Sequence, residues 1–240
     1  MNRLCEKAAT MAYLLRFRHS GVVFGELRRW LYSTGDYFGL CRDLANPYDS
    51  PEVRIPVTIR AADHKDITTL LRLDRPGITG QGMFERLQRL HLYKAHFGTC
   101  YVAVTADNSP CYMQWAFDAS ENSQIQAYFR GVFPLLAPDE ALFQLPFTLE
   151  AYRGLGIMPY AMSQVAASLA VSGVRMVIAF VARPRTPSLR GFQKAGFKPY
   201  VLRTDTWRLF RQKITFRQLS AETAYPFEAA ASADKERRGD

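Results

Sequence analysis

Residues 152–158 read Tyr-Arg-Gly-Leu-Gly-Ile-Met, and their types and spacing suit one task, the holding of an anion against main-chain N–H groups. An apolar run before them, Ala141-Leu142-Phe143-Gln144-Leu145-Pro146-Phe147, reads as a strand. After them Met158, Met162, Val165, Ala166 and Leu169 fall on one face of a helix. A strand, a glycine-containing turn and a helix start set N–H groups at the positive end of the helix dipole, where phosphate is favoured. Glycines at 154 and 156 permit close backbone approach. Pro159 fits a first helical turn, whose N–H groups lack internal partners. The chemistry implied is the binding of a phosphorylated cofactor.

Arg153-Gly154-Leu155-Gly156-Ile157-Met158 resembles the pyrophosphate loop of the GCN5-related N-acetyltransferases (the GNAT superfamily). That loop runs Arg or Gln, two residues, Gly, one residue, then Gly or Ala. Ser188-Leu189-Arg190-Gly191-Phe192-Gln193-Lys194-Ala195-Gly196-Phe197 resembles the family's next signature, Ser-Leu followed by an aromatic, Lys and Gly-Phe. The two blocks stand in family order, with a strand-like run at 175–181 between them, and the resemblance covers residues 57–217. It implies an α+β fold, a mixed and mostly antiparallel twisted sheet flanked by helices. It implies direct transfer of an acetyl or other acyl group from acetyl-CoA, or another acyl-CoA, to an amine in a ternary complex, without a metal. By position, the main chain of Phe147, Thr148 and Leu149 would hold the pantetheine arm and the thioester carbonyl. Arg153, Gly154, Leu155, Gly156, Ile157 and Met158 would hold the pyrophosphate, and Arg185 and Ser188 would add cofactor contacts.

Acyl transfer needs donors where the oxyanion develops, a base for the amine proton and, for some leaving groups, an acid. Glu140, at the head of the motif strand, is the candidate base; Glu150, nearer the loop, and ordered water are the alternatives. Phe192 stands where the family's usual acid is a tyrosine, which leaves Tyr200, Tyr160 or water. A thiolate is stable enough near neutral pH to leave without much help. Met158 replaces the motif's final Gly or Ala, and Arg185 the asparagine that precedes the second block. These departures motivate a second reading, a coenzyme A-binding sensor or assembly module with weak catalysis.

The chain has 240 residues, 48% of them hydrophobic, enough for a sizeable core. Its apolar runs are broken by charge well short of the roughly 20 residues that span a bilayer. Cys5, Cys41, Cys100 and Cys111 are scattered without metal-ligand spacing, so neither zinc nor a disulfide framework is expected, and a reducing cytoplasmic compartment is. The net charge is +9, and residues 183–217 hold a dense basic series against the single acid Asp205. Such a field concentrates an anion such as coenzyme A. It also leaves open a peripheral membrane or nucleic-acid contact, or simply a solvated outer strand.

These residues must be positioned by three regions. Residues 1–56 read as a helical extension and linker, with Val23, Phe24, Leu27, Trp30 and Leu31 at helical spacing, packed on the domain or laid on a membrane. Residues 57–219 read as the acyltransferase domain: a strand at Val57-Thr58-Ile59-Arg60, a helix capped by Asp63, a second helix with Phe84, Leu87, Leu90 and His91 on one side, and a hairpin at 101–117. The stretch 118–138 is an insertion suited to a lid; with the loop 75–82 it would frame an amine acceptor. Residues 220–240 read as a disordered tail. A monomer and a homodimer are both compatible with the sequence.

Overall fold

The computed structural model describes residues 3–220 together with Thr223, Tyr225 and Phe227. In chain order its elements are α1 (Arg3–Arg16), α2 (Ser20–Leu31), β1 (Tyr32–Asp43), β2 (Val57–Ala61), α3 (His64–Leu71), α4 (Gly80–Lys94), β3 (Thr99–Thr105) and β4 (Pro110–Asp118). Then follow α5 (Asn122–Phe129), β5 (Glu140–Thr148), α6 (Ile157–Val171), β6 (Met176–Ala182), α7 (Thr186–Lys194), β7 (Lys198–Arg208) and β8 (Arg211–Gln218). The strands form one eight-stranded sheet in the order β2-β3-β4-β5-β6-β1-β7-β8. Its pairings are antiparallel except that of β5 with β6, so the expected α+β class with a mostly antiparallel sheet holds.

Alternation along the strands sends side chains to two apolar layers. On one face Ile67 and Leu70 of α3, Leu92 of α4, and Ile125 and Phe129 of α5 pack with Met113, Trp115 and Phe117 of β4. On the other, Met162, Val165 and Ala166 of α6 and Leu189 and Phe192 of α7 cover Phe143, Val177 and Ala179. Asp63 does cap α3, and Asp66 completes a capping box with it while receiving Arg60 at 2.5 and 2.9 Å. Burial acts to raise the Asp66 carboxyl, but the Arg60 bonds and the cap outweigh it and hold it below the ordinary carboxylate range. Asp66→Ala should therefore cost about 2 kcal/mol, read as a lower melting temperature near neutral pH. The contribution is present above the ordinary carboxylate pKa and lost as pH falls through the depressed one. The difference between variant and parent should thus shrink in acid.

The N-terminal region departs from its expected form. It is helical only to Leu31; β1 then enters the sheet between β6 and β7, pairing with Ala182 to Met176 on one side and Arg208 to Lys198 on the other. A boundary at residue 56 therefore cuts through the sheet. Ser33, Gly35, Asp36 and Gly39 are poor strand formers, which hid β1 in the sequence. Gly39 is required by proximity: a Cβ there would lie 2.2 Å from Val201 Cγ1 and 2.9 Å from Phe180 Cε1. The expected tail needs a similar correction at one point. Tyr225 is buried, and its hydroxyl donates to the Phe197 carbonyl at 2.7 Å. Most of the rest of 220–240 lies outside the described residues.

Candidate active site

β5 and β6 run parallel from the pair Glu140 and Met176 only as far as Phe143 and Ala179. Beyond that point β5 bulges: Leu145 has φ 51°, and the pairing with β4 shifts between Met113 and Trp115. The strands part, and a cleft of about 330 Å³ opens between Gln144-Leu145-Pro146 and Phe180-Val181-Ala182. Glu85 and Gln88 of α4 and Arg185, Ser188 and Phe192 of α7 form its walls. A left-handed leucine is unfavourable by about 1–2 kcal/mol, and Arg89 holds the bulge in place. Its guanidinium donates to the carbonyls of Leu145 at 3.3 Å, Pro146 at 3.1 Å and Glu85 at 2.7 Å. Burial pushes the Arg89 pKa down to about 10, which keeps the group charged at neutral pH. Glu85 and Arg185 join across the cleft at 2.6 Å. Burial acts to raise the Glu85 carboxyl, and Arg185, with Arg89 and Gln81, overrides it.

The glycine loop leads into α6, with Gly154 at φ 80° and Gly156 at φ 79°. Tyr160 makes the bond to the Gly156 carbonyl at 3.2 Å; among the described residues the N–H groups of Gly154, Leu155 and Gly156 have no main-chain acceptor. The two glycines differ in surroundings. A Cβ on Gly154 would meet open space, whereas one on Gly156 would lie 2.4 Å from the Glu52 carbonyl oxygen. Residue 156 is thus a glycine because the chain segment before β2 crosses it, and Arg54 N–H bonds Leu155 there at 2.9 Å. Approach by a ligand is left to the Gly154 side. Close by, Glu150 gathers Arg75 at 3.4 Å, Arg86 at 3.5 Å and Arg153 at 3.3 Å, three cations about one carboxylate. The loop and its arginines fit an anionic group. Met158 packs on Gly191 of α7, so its long side chain is absorbed between the helices.

A second cavity, of about 490 Å³, adjoins the cleft at the same bulge, and the two share Glu26, Tyr37, Phe133, Gln144, Leu145 and Arg203 among their lining residues. Its remaining wall comes from α2 (Trp30), the insertion (Tyr128, Phe129) and the β7–β8 hairpin (Asp205, Trp207, Phe210, Gln212). Arg203 and Asp205 pair at 2.9 Å, and the guanidinium lies 4.1 Å from the Tyr37 ring centroid and 5.2 Å from that of Phe180. Burial raises the Asp205 carboxyl, only partly offset by Arg203.

The residues named from sequence divide accordingly. Arg185 and Ser188 line the cleft. The loop residues Arg153 to Met158 form the turn into α6. Phe147, Thr148 and Leu149 sit past the opening: Phe147 lies under Arg86 and Arg89, the Thr148 carbonyl accepts from Arg153, and Leu149 N–H bonds Cys111. The cleft instead uses residues 143–146, because the bulge falls at Leu145. Glu140 and Tyr200 come near one another and Cys41, and the Tyr200 hydroxyl is pushed up by burial, then by Cys41 and Glu140. Neither lines the cleft or the cavity; Glu140 accepts the Ala137 N–H at 3.0 Å, at the closed end of β5. Phe192 is buried and offers no proton. Gln144, Arg89, Glu85, Arg203 and Asp205 went unremarked as site residues, and only the bulge beside Pro146 could have signalled the first of them.

No family model matches the sequence, and no curated protein matches it. Among solved structures, the chain is similar to a GCN5-related N-acetyltransferase from Sphaerobacter thermophilus, at 18% identity and TM-score 0.46, over 79% of this chain and 57% of that one. An acetyltransferase of the GNAT family from Colwellia psychrerythraea is similar at 11% identity and TM-score 0.46, over 78% of this chain and 57% of that one. AAC(6')-Ib, solved with ribostamycin and coenzyme A, is similar at 14% identity and TM-score 0.44, over 59% of this chain and 83% of its own. The chain thus spans a little over half the length of the first two. Likeness at this level carries no weight for activity, which has to rest on the site itself.

Proposed function

We propose that the protein transfers an acyl group from an acyl-coenzyme A to an amine by direct attack. The supporting observation is the parting of β5 from β6 at Leu145, where a cleft beside α7 runs into an adjoining aromatic-walled cavity. Two reactants, one lying on the α7 side and the other on the α2 and β7–β8 side, would meet at one bulge, which is the geometry a ternary-complex transfer needs. The cofactor's phosphates go to the N–H groups after Arg153 and to the arginines around Glu150, and its arm to the cleft past Ser188 and Arg185. Gln144, a neutral amide facing both spaces, is the donor for the thioester carbonyl. The amine nitrogen attacks that carbonyl, the C–S bond breaks, and the thiolate leaves. Asp205, the carboxylate of the acceptor cavity, takes the amine's proton directly or through water.

Calorimetric titration with acetyl-CoA tests this reading. Binding in the micromolar range, weakened about tenfold in Arg153→Ala by loss of a charge-assisted contact, is the expected result. No heat of binding in the folded parent protein would end it.

A further inference from the structure

The hairpin between β7 and β8 turns on Leu209 and Phe210, which have φ 47° and 64° and are 76% and 56% exposed. Turns of this hand favour Asn and Gly, since positive φ is unfavourable for bulky side chains. The main chain itself has a structural task. Leu209 N–H donates to the Leu31 carbonyl at 2.9 Å and Phe210 N–H to the Trp30 carbonyl at 2.8 Å, satisfying the open end of α2. Asn and Gly would serve that task better; Phe210 also borders the larger cavity, but Leu209 lines neither space, so Leu209 and the exposed part of Phe210 answer to something outside the fold. They have company: Phe24, Leu27 and Leu31 recur on the outer face of the helix that the turn caps, and each is exposed, as is Tyr32.

Charge identifies the partner. Arg28 shares that helix face, Arg208, Arg211 and Lys213 flank the turn, and Arg208 lies 3.8 Å over the Tyr32 ring. Residues 206–220 contain no acid, and on α2 the carboxylate of Glu26 is bound by Arg29 at 2.6 Å. A second copy of this chain would meet the surface with its own positive charge. Nucleic acid would use aromatic platforms alone, whereas here the aromatic Phe24, Tyr32 and Phe210 are interleaved with the aliphatic Leu27, Leu31 and Leu209, which offer a base nothing to stack on. Apolar tips in a basic setting match the interface of an anionic bilayer. We propose that the outer face of α2 and the Leu209–Phe210 turn form one peripheral docking surface for anionic membranes. Contact is peripheral, as no helix among the described residues is long and apolar enough to cross a membrane.

Co-sedimentation with vesicles tests the surface, comparing phosphatidylcholine alone with phosphatidylcholine containing phosphatidylserine. The full chain should bind the anionic vesicles and not the neutral ones. The double variant Phe24→Gln/Leu209→Asn should bind about tenfold more weakly, with an unchanged or raised melting temperature, because Asn suits positive φ. Arg28→Gln and Arg211→Gln should each cost about fivefold. Absence of binding to anionic vesicles, or full binding by the apolar double variant, would overturn the proposal. Self-association that the double variant abolishes, without vesicle binding, would give the surface to a second copy. Binding to single-stranded DNA that the arginine variants lose and the apolar variant keeps, again without vesicle binding, would give it to nucleic acid.

Discussion

A chain that begins at residue 57 is expected not to fold. The boundary is the natural one from the sequence, because the proline-rich stretch 46–56 reads as a linker between regions. In the structure, that cut removes the strand that joins β6 to β7. The pairs from Tyr37 with Ala182 to Asp43 with Met176, and those from Tyr32 with Arg208 to Cys41 with Lys198, would all be lost. β7 and β8 would be left with no partner in the sheet beyond each other. Phe38 and Leu40, both buried, would go with the strand, at roughly 1.5–3 kcal/mol each. The freed main-chain groups of two strands add roughly 0.5–1.5 kcal/mol per lost bond. A domain's entire stability is about 5–15 kcal/mol, so the loss exceeds what is available. Circular dichroism through a thermal ramp would check this: no cooperative transition for 57–240, against a sharp one for the full chain. A cooperative melt of the truncated chain would mean that β1 is an accessory to a self-sufficient sheet.

The same strand shows what was and was not legible in the residues. Elements that carry their own period were readable: the Asp63 cap of α3, the apolar run that became β5, and the helix after the glycine loop. β1 was not, because its fitness lies in its neighbours. Gly39 is favourable only where Val201 and Phe180 press on it from outside the segment. Gly156 shows the same dependence in the site, as its need for glycine comes from Glu52, about a hundred positions away in the chain. The loop motif was therefore legible as a turn while the reason for one of its glycines was not. Charge misled in a related way. Arg203 belongs to the basic series at 183–217 that looks like a solvated outer strand, yet it is buried and stacked among rings beside Asp205. Single-residue polarity does not report which member of a basic series turns inward; only the pairing of β7 with β1 and β8 does.

That inward turn sets up the second large effect. Asp205→Asn should lower kcat for amine acylation by about 10²–10⁴, the usual weight of a positioned base, while leaving acyl-CoA affinity unchanged. The substitution keeps an oxygen for Arg203, whose guanidinium is also held by the Val132 carbonyl at 3.2 Å and by the Tyr37 ring, so the pocket should survive it. Binding is spared because Ser188 lines only the cleft and Asp205 only the cavity, while the glycine loop borders neither. The pH profile carries the sharper sign. Burial raises the Asp205 carboxyl, and only its ionised form can accept a proton. In the parent protein kcat should therefore rise with pH through a value above the ordinary carboxylate range, and in the Asn variant that acidic limb should be absent. Glu140→Gln is the matched comparison, since that carboxyl caps the Ala137 N–H at the closed end of β5 and faces neither reactant space. Equal losses in the two variants would point to a general effect on the sheet. Loss in Glu140→Gln alone would return the base to the head of the motif strand, and loss in Asp205→Asn alone, with its pH limb gone, would place proton transfer in the acceptor cavity.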